Sequence, residues 1–278
     1  MSTSRHVVPA GAVPYDVLPG DPQSPVILHV PHAAAGISDH VRPAIVLDDE
    51  ALDRELLNMT DLHTDRMALQ AAAGADRRPW IFVNRLSRLV VDPERFPDER
   101  EEMLQVGMGA VYTRTSVGTV LRQPSPLQEA HLIRTYFEPY TTAMARLVAD
   151  RLDRCRTALI LDVHSYASQP LPYELHSDLR RPRLCVGQDG FHTPASLVHA
   201  ARTAFRGLGE ALVNEPFAGA YVPTRHYGRV AQVQALMLEV RRDTYMDERT
   251  GEALAGLRDV TSSLTQLIDS LDVQRQRR

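Results

Sequence analysis

Two histidines stand just past short apolar runs, and their placement suggests metal chemistry. The first run reads Val-Ile-Leu-His-Val-Pro-His and ends at His32. The second, Ala-Leu-Ile-Leu-Asp-Val-His-Ser, reaches His164 and Ser165. Four to seven apolar residues in a row, many of them β-branched, predict a strand buried in a parallel sheet. In open α/β sheets the reactive groups collect in the crevice beyond the carboxyl ends of the strands. Two histidines at two such ends can converge on one metal ion although they are far apart in sequence. A single buried histidine is more often satisfied by a backbone carbonyl; two in equivalent positions favour a site.

A catalytic zinc commonly takes three protein ligands of the His/His/carboxylate kind and keeps a fourth position for water. The carboxylates nearest the first histidine lie in Met-Thr-Asp-Leu-His-Thr-Asp-Arg, at Asp61 and Asp65. Four residues apart, they would share one face of a helix, with His63 pointing elsewhere. Asp61 follows Thr60 and has the alternative job of capping a helix. Asp65 is therefore the expected third ligand and Asp61 the alternative, with His63 placed beside the site or at the surface. A base is sought in Ala-Leu-Met-Leu-Glu-Val-Arg-Arg, where Glu239 ends an apolar run. A carboxylate is costly to bury there unless it is paired or used. It could take a proton from a metal-activated water, or form a plain ion pair with Arg241 or Arg242.

The elements that must position these groups alternate along the chain. Strands are predicted at 26–30, 80–83, 88–91, 157–163, 184–186, 212–213 and 235–240. Helices are predicted within 48–73, along 130–152 from apolar positions at helical spacing, at 194–208 and at 248–271. The segment 92–126 carries Pro, Gly and charge without periodicity and reads as a long functional loop; the Gln-Arg-Gln-Arg-Arg tail is expected to fray. Strand and helix in alternation argue for an α/β fold, a single domain over 1–278 with a mostly parallel or mixed sheet covered on both faces.

Composition agrees with a globular enzyme: 278 residues, 44% apolar and 24% charged. A net charge of −4 gives no reason to expect nucleic acid or an anionic membrane as partner. No apolar run approaches eighteen residues, and the first residues lack the apolar stretch of a secretory signal. Two cysteines, Cys155 and Cys185, without metal or redox spacing, fit a reducing cytoplasm.

Seven segments, in order, resemble the N-formylglutamate amidohydrolases, zinc enzymes with a phosphorylase/hydrolase-like fold related to the zinc carboxypeptidases. Val-Pro-His-Ala-Ala-Ala-Gly is similar to that family's PHSG turn, and Thr-Asp-Leu-His-Thr-Asp-Arg to TDWHVDRL. Ser-Arg-Leu-Val-Val-Asp-Pro-Glu-Arg resembles SRYVVDLNR, and Leu-Asp-Val-His-Ser-Tyr resembles LDLHSY. Val-Gly-Gln-Asp-Gly-Phe-His-Thr-Pro is similar to IGTDDFHTP, Pro-Phe-Ala-Gly-Ala-Tyr to PFAGGY, and Ala-Leu-Met-Leu-Glu-Val to ALQIEL. The resemblance implies one Zn2+ per chain on His32, His164 and Asp65 (or Asp61), with Glu239 as general base. It implies that Arg88 and Arg95 clamp a substrate carboxylate or a developing oxyanion, a task suited to the guanidinium fork. Ser165, Tyr166, Gly219, Tyr227 and Gly228 are implied to lie around the substrate, with His192 a further candidate. The implied partner is a small molecule with a free carboxylate, N-formyl-L-glutamate first, cleaved to formate and glutamate. Three departures stand out: Pro93-Glu94 replace Leu-Asn, Met237 replaces Gln, and the first turn is rich in Ala.

Overall fold

The apolar runs become the middle of one mixed sheet. The computed structural model describes residues 6–9, 11 and 13–276. In chain order its strands are β1 (Val7–Val8), β2 (Tyr15–Leu18), β3 (Val26–Val30), β4 (Ile37–Ser38), β5 (Trp80–Asn84), β6 (Ala158–Tyr166), β7 (Leu184–Gly187), β8 (Ala211–Val213) and β9 (Val233–Arg241). The helices are α1 (Asp49–Met59), α2 (Thr64–Gly74), α3 (Pro126–Leu132), α4 (Glu138–Cys155), α5 (Ala195–Ala204) and α6 (Gly256–Gln276). Seven strands pair in the order β2-β5-β3-β6-β9-β7-β8. The central four, β5-β3-β6-β9, run parallel, while β2 and β7 join them antiparallel and β8 runs parallel to β7.

Helices cover both faces. Val26, Leu28 and Val30 of β3 share a core with Leu159 and Leu161 of β6, Leu236 and Leu238 of β9, and residues of α2, α5 and α6. The alternate positions, Ile27, Ile160 and Ala235, pack against Tyr140, Met144 and Val148 of α4. This period-two division puts Asp162, His164 and Glu239 on the α4 side of the sheet. A third apolar cluster joins α1 to the 86–137 segment.

The predicted strands are present at most positions, β6 and β9 each running further than expected. At 88–91 there is a turn instead, closed by Val90 N–H on Ser87 O (2.9 Å); the apolar side chains fill the third cluster rather than a sheet. Strand β2 escaped the reading because it is a half-exposed edge without a clear pattern. The predicted long helix is α3 and α4 joined by a π-turn at Ile133–Phe137. The terminal helix begins at Gly256, later than expected, and takes in 274–276 of the tail; Arg277 and Arg278 lie outside the described residues. No helix among the described residues is long and apolar enough to cross a membrane.

Candidate metal centre

His32 leaves the end of β3 through Pro31, and His164 stands near the end of β6, its parallel neighbour. Their Nδ1 atoms are 3.2 Å apart. Asp61 reaches them from the corner between α1 and α2, which is tied to the strand end by Asp61 N–H on His32 O (2.9 Å). Its Oδ2 lies 3.2 Å from His164 Nδ1 and 3.7 Å from His32 Nδ1. A tetrahedral centre with bonds of about 2.0–2.1 Å has edges of about 3.3–3.4 Å, so these three atoms are spaced as ligands of one ion.

Buried carboxylates lie beside the far nitrogens, with a hydrogen bond at His32 and none at His164 Nε2. His32 Nε2 meets Asp92 Oδ1 at 3.0 Å, and His164 Nε2 lies 3.1 Å from Asp162 Oδ1. A metal-binding histidine usually has a carboxylate or carbonyl behind it, which sets its tautomer. A competing donor set, His32, Glu94 and His164, also brings one ligand atom from each within reach of one ion. Its contacts to Glu94 Oε2, 3.7 and 3.2 Å, run through the Nε2 atoms, of which that of His32 is already bonded to Asp92 Oδ1. The Nδ1 set with Asp61 is therefore the better fit.

The electrostatics of the cluster favour a cation. Burial works against charging His164, yet Asp162 and Glu94 beside it raise its pKa well above the usual range. Burial likewise pushes Asp61 up, but hydrogen bonds with His164 and His32 and the Arg242 charge hold it well below the ordinary carboxylate range. Arg242 donates to Asp61 Oδ1 at 3.0 Å.

Asp65 takes no part. His63, at φ +70°, breaks the helix between the two aspartates, so the shared face that the spacing implied never forms. Asp65 lies in the first turn of α2, where its Oδ1 accepts from Arg66 N–H. His63 itself meets Gly251 O at 2.7 Å.

Glu239 faces the same crevice, paired in register with His164 across β6 and β9. The expected ion-pair partners are engaged elsewhere: Arg241 with Asp243, Arg242 with Asp61. Glu239 Oε2 is buried without a hydrogen-bond partner. Burial above all, with the Asp61 charge adding to it, raises its pKa to about 7 against the opposing pull of His164.

The two expected arginines are placed differently from one another. Arg88 Nε and NH2 both donate to Asp92 Oδ2 (3.1 and 2.7 Å), and Tyr112 OH donates to the same oxygen. Arg88 thus fixes the carboxylate behind His32 instead of standing free for substrate. Arg95 is more loosely held, 3.4 Å from Glu101 and 3.7 Å from Asp92. Both line a cleft of about 870 Å3 that also contains Ser165, Tyr166, Gly219 and Tyr227. Ser165 Oγ accepts from Arg242 Nε, and Tyr166 OH donates to Pro182 O. Tyr227 OH donates to Asp189 at 3.1 Å. Exposed Gly228 and buried His192 do not line the cleft, Gly228 N–H donating to His192 Nε2.

Asp92, Asp162, Glu94 and Arg242 were not singled out from sequence as parts of the metal cluster. Asp162 had a usable signal: two residues before His164 on one strand, it must share its face.

A model of the family described as N-formylglutamate amidohydrolase matches residues 24–246. The chain belongs to that family. It is 28% identical over 258 residues to an N-formylglutamate deformylase of Pseudomonas aeruginosa, covering 89% of this chain and 92% of the relative. A deformylase of the same name from Pseudomonas putida is 26% identical over 235 residues, covering 81% and 82%. Among solved structures, an N-formylglutamate amidohydrolase from Ralstonia eutropha JMP134 superposes with a TM-score of 0.80 at 21% identity, covering 95% of this chain and 99% of that one. A protein from Agrobacterium tumefaciens does so with 0.69 at 16%, covering 94% and 96%. The last two likenesses are likenesses of fold.

Proposed function

We propose that this member of the family is a zinc-dependent amidohydrolase that cleaves the amide of an N-formyl or other short N-acyl amino acid, in a reducing cytoplasmic setting. The observation that carries the reading is the trio of His32 Nδ1, His164 Nδ1 and Asp61 Oδ2 at tetrahedral-edge spacing, with Glu239 beside it. A divalent ion held by that trio would supply a Lewis acid and acidify a water. Glu239, poised near neutrality, accepts the proton of the attacking water and returns it to the leaving nitrogen. Asp92 keeps the His32 imidazole in the tautomer that presents Nδ1. Arg95, at the cleft wall, is the guanidinium available to the substrate's α-carboxylate. N-formyl-L-glutamate, the substrate in the relatives' names, is the first compound to assay, with formate release as readout. Zinc-loaded protein that hydrolyses no N-formyl amino acid would overturn the reading.

A further inference from the structure

The cleft carries a charge pattern unsuited to a substrate with two carboxylates. Among the described residues its lining holds eight carboxylates and four guanidiniums, so even a bound divalent ion leaves acid in excess. Three of the four guanidiniums already hold a carboxylate: Arg88 on Asp92 at 2.7 Å, Arg242 on Asp61 at 3.0 Å and Arg100 on Asp98 at 2.7 Å. Only Arg95 is loosely engaged, with its Nε lacking a hydrogen-bond partner. One substrate carboxylate can be met there; a second finds no free cation.

Glu94 sharpens the contrast. It stands where the resembling motif has a neutral Asn, next to Arg95 in sequence. It lines the cleft with its Oε2 3.2 Å from His164 Nε2, while Oε1 makes no hydrogen bond and lies 3.5 Å from His29 Nδ1. Like charges brought together at a poorly solvated site cost several kcal/mol, and a concave wall of one sign focuses its field on the ligand.

We infer that Glu94 makes this cleft select N-formyl or short N-acyl amino acids whose side chain is cationic, in preference to N-formylglutamate. The inference rests on the amidohydrolase reading for its chemistry and on the charge pattern for its selectivity. In the bound substrate the α-carboxylate meets Arg95 and the cationic side chain faces Glu94 and the acidic rim, where Glu102 is exposed and Asp189 half-buried.

The test compares N-formyl-L-lysine with N-formyl-L-glutamate on the zinc-loaded full chain, alongside calorimetry of L-lysine and L-glutamate binding. We expect kcat/KM for the lysine compound to be higher by roughly tenfold or more at low salt, a difference of about 1.4 kcal/mol. The gap should shrink in high salt and by at least about threefold in Glu94→Gln. A wild-type preference for the glutamate compound, or a ratio unchanged in Glu94→Gln, overturns the inference. Should Glu94→Gln lose its fold by circular dichroism, the wild-type salt series decides: a ratio that does not move with salt overturns it. Should neither compound be hydrolysed, the amidohydrolase reading falls. Calorimetry then judges the selectivity alone, tighter lysine upholding it and equal or tighter glutamate refuting it.

Discussion

Replacing Glu239 by Gln separates a base from a structural carboxylate. Glu239 is 9% exposed, and burial moves its pKa from 4.5 to about 7. At about 1.4 kcal/mol per pH unit, that rise corresponds to about 3 kcal/mol. The folded protein holds this proton more tightly than the unfolded chain does. The contribution to stability is therefore fully present below about pH 4.5 and lost as pH rises through about 7. Gln keeps the shape of the protonated form and removes the ionisation. In metal-free protein with chelator, Glu239→Gln should melt with the wild type at pH 5 and roughly 6–10 °C above it at pH 8.5. The zinc-loaded variant should lose about 10²–10⁴ of turnover. A variant that is less stable at pH 8.5 yet hydrolyses at the normal rate would refute the reasoning and make Glu239 an ion-pair partner.

Elemental analysis should find about one zinc per chain, lost in His164→Ala and Asp61→Ala but kept in Asp65→Ala; full retention by His164→Ala sinks the site. Arg95→Lys should raise KM with kcat little changed, because lysine cannot form the fork, whereas Arg88→Lys should mainly weaken zinc affinity by loosening Asp92 behind His32, read by competition with a chromogenic chelator. Glu55 accepts from Ser116 N–H and Oγ, both at 2.7 Å. Glu55→Ala should cost about 1–3 kcal/mol by leaving buried donors unpaired and expose the 99–122 segment to limited proteolysis.

The parts of the site that lie on strands were legible because strand patterns carry their own geometry. His32, His164 and Glu239 were found from apolar runs and their carboxyl ends, and the structure brings all three to one crevice. Which aspartate joins the two histidines was not legible. Choosing between Asp61 and Asp65 depends on one left-handed residue, His63, and a positive φ at a histidine leaves no trace in a hydrophobic pattern. Arg88 is placed differently from the expectation for a related reason, while Arg95 stays at the cleft wall. Their type suits a substrate carboxylate, but Arg88 is claimed by Asp92, four residues on, once 88–91 folds as a turn rather than a strand. Sequence spacing gave the residue types, while loop conformation decided which partner each one met.

The pairing of His164 with Glu239 across two parallel strands has a consequence for how such a protein can change. Backbone hydrogen bonds, repeated on both sides of the pair from Ala158 to Arg241, hold the two residues a strand-spacing apart, about 4.8 Å. Of the segments that shape the cleft, those after β6 and before β9 adjoin this ladder and the one at 93–103 follows β5, and none of them sets that spacing. They can be exchanged, lengthened or recharged, as at position 94, while the distance between Glu239 and His164 stays constant. On the proposed mechanism, new specificities are then reachable by single substitutions in the cleft segments with the reacting pair left in place.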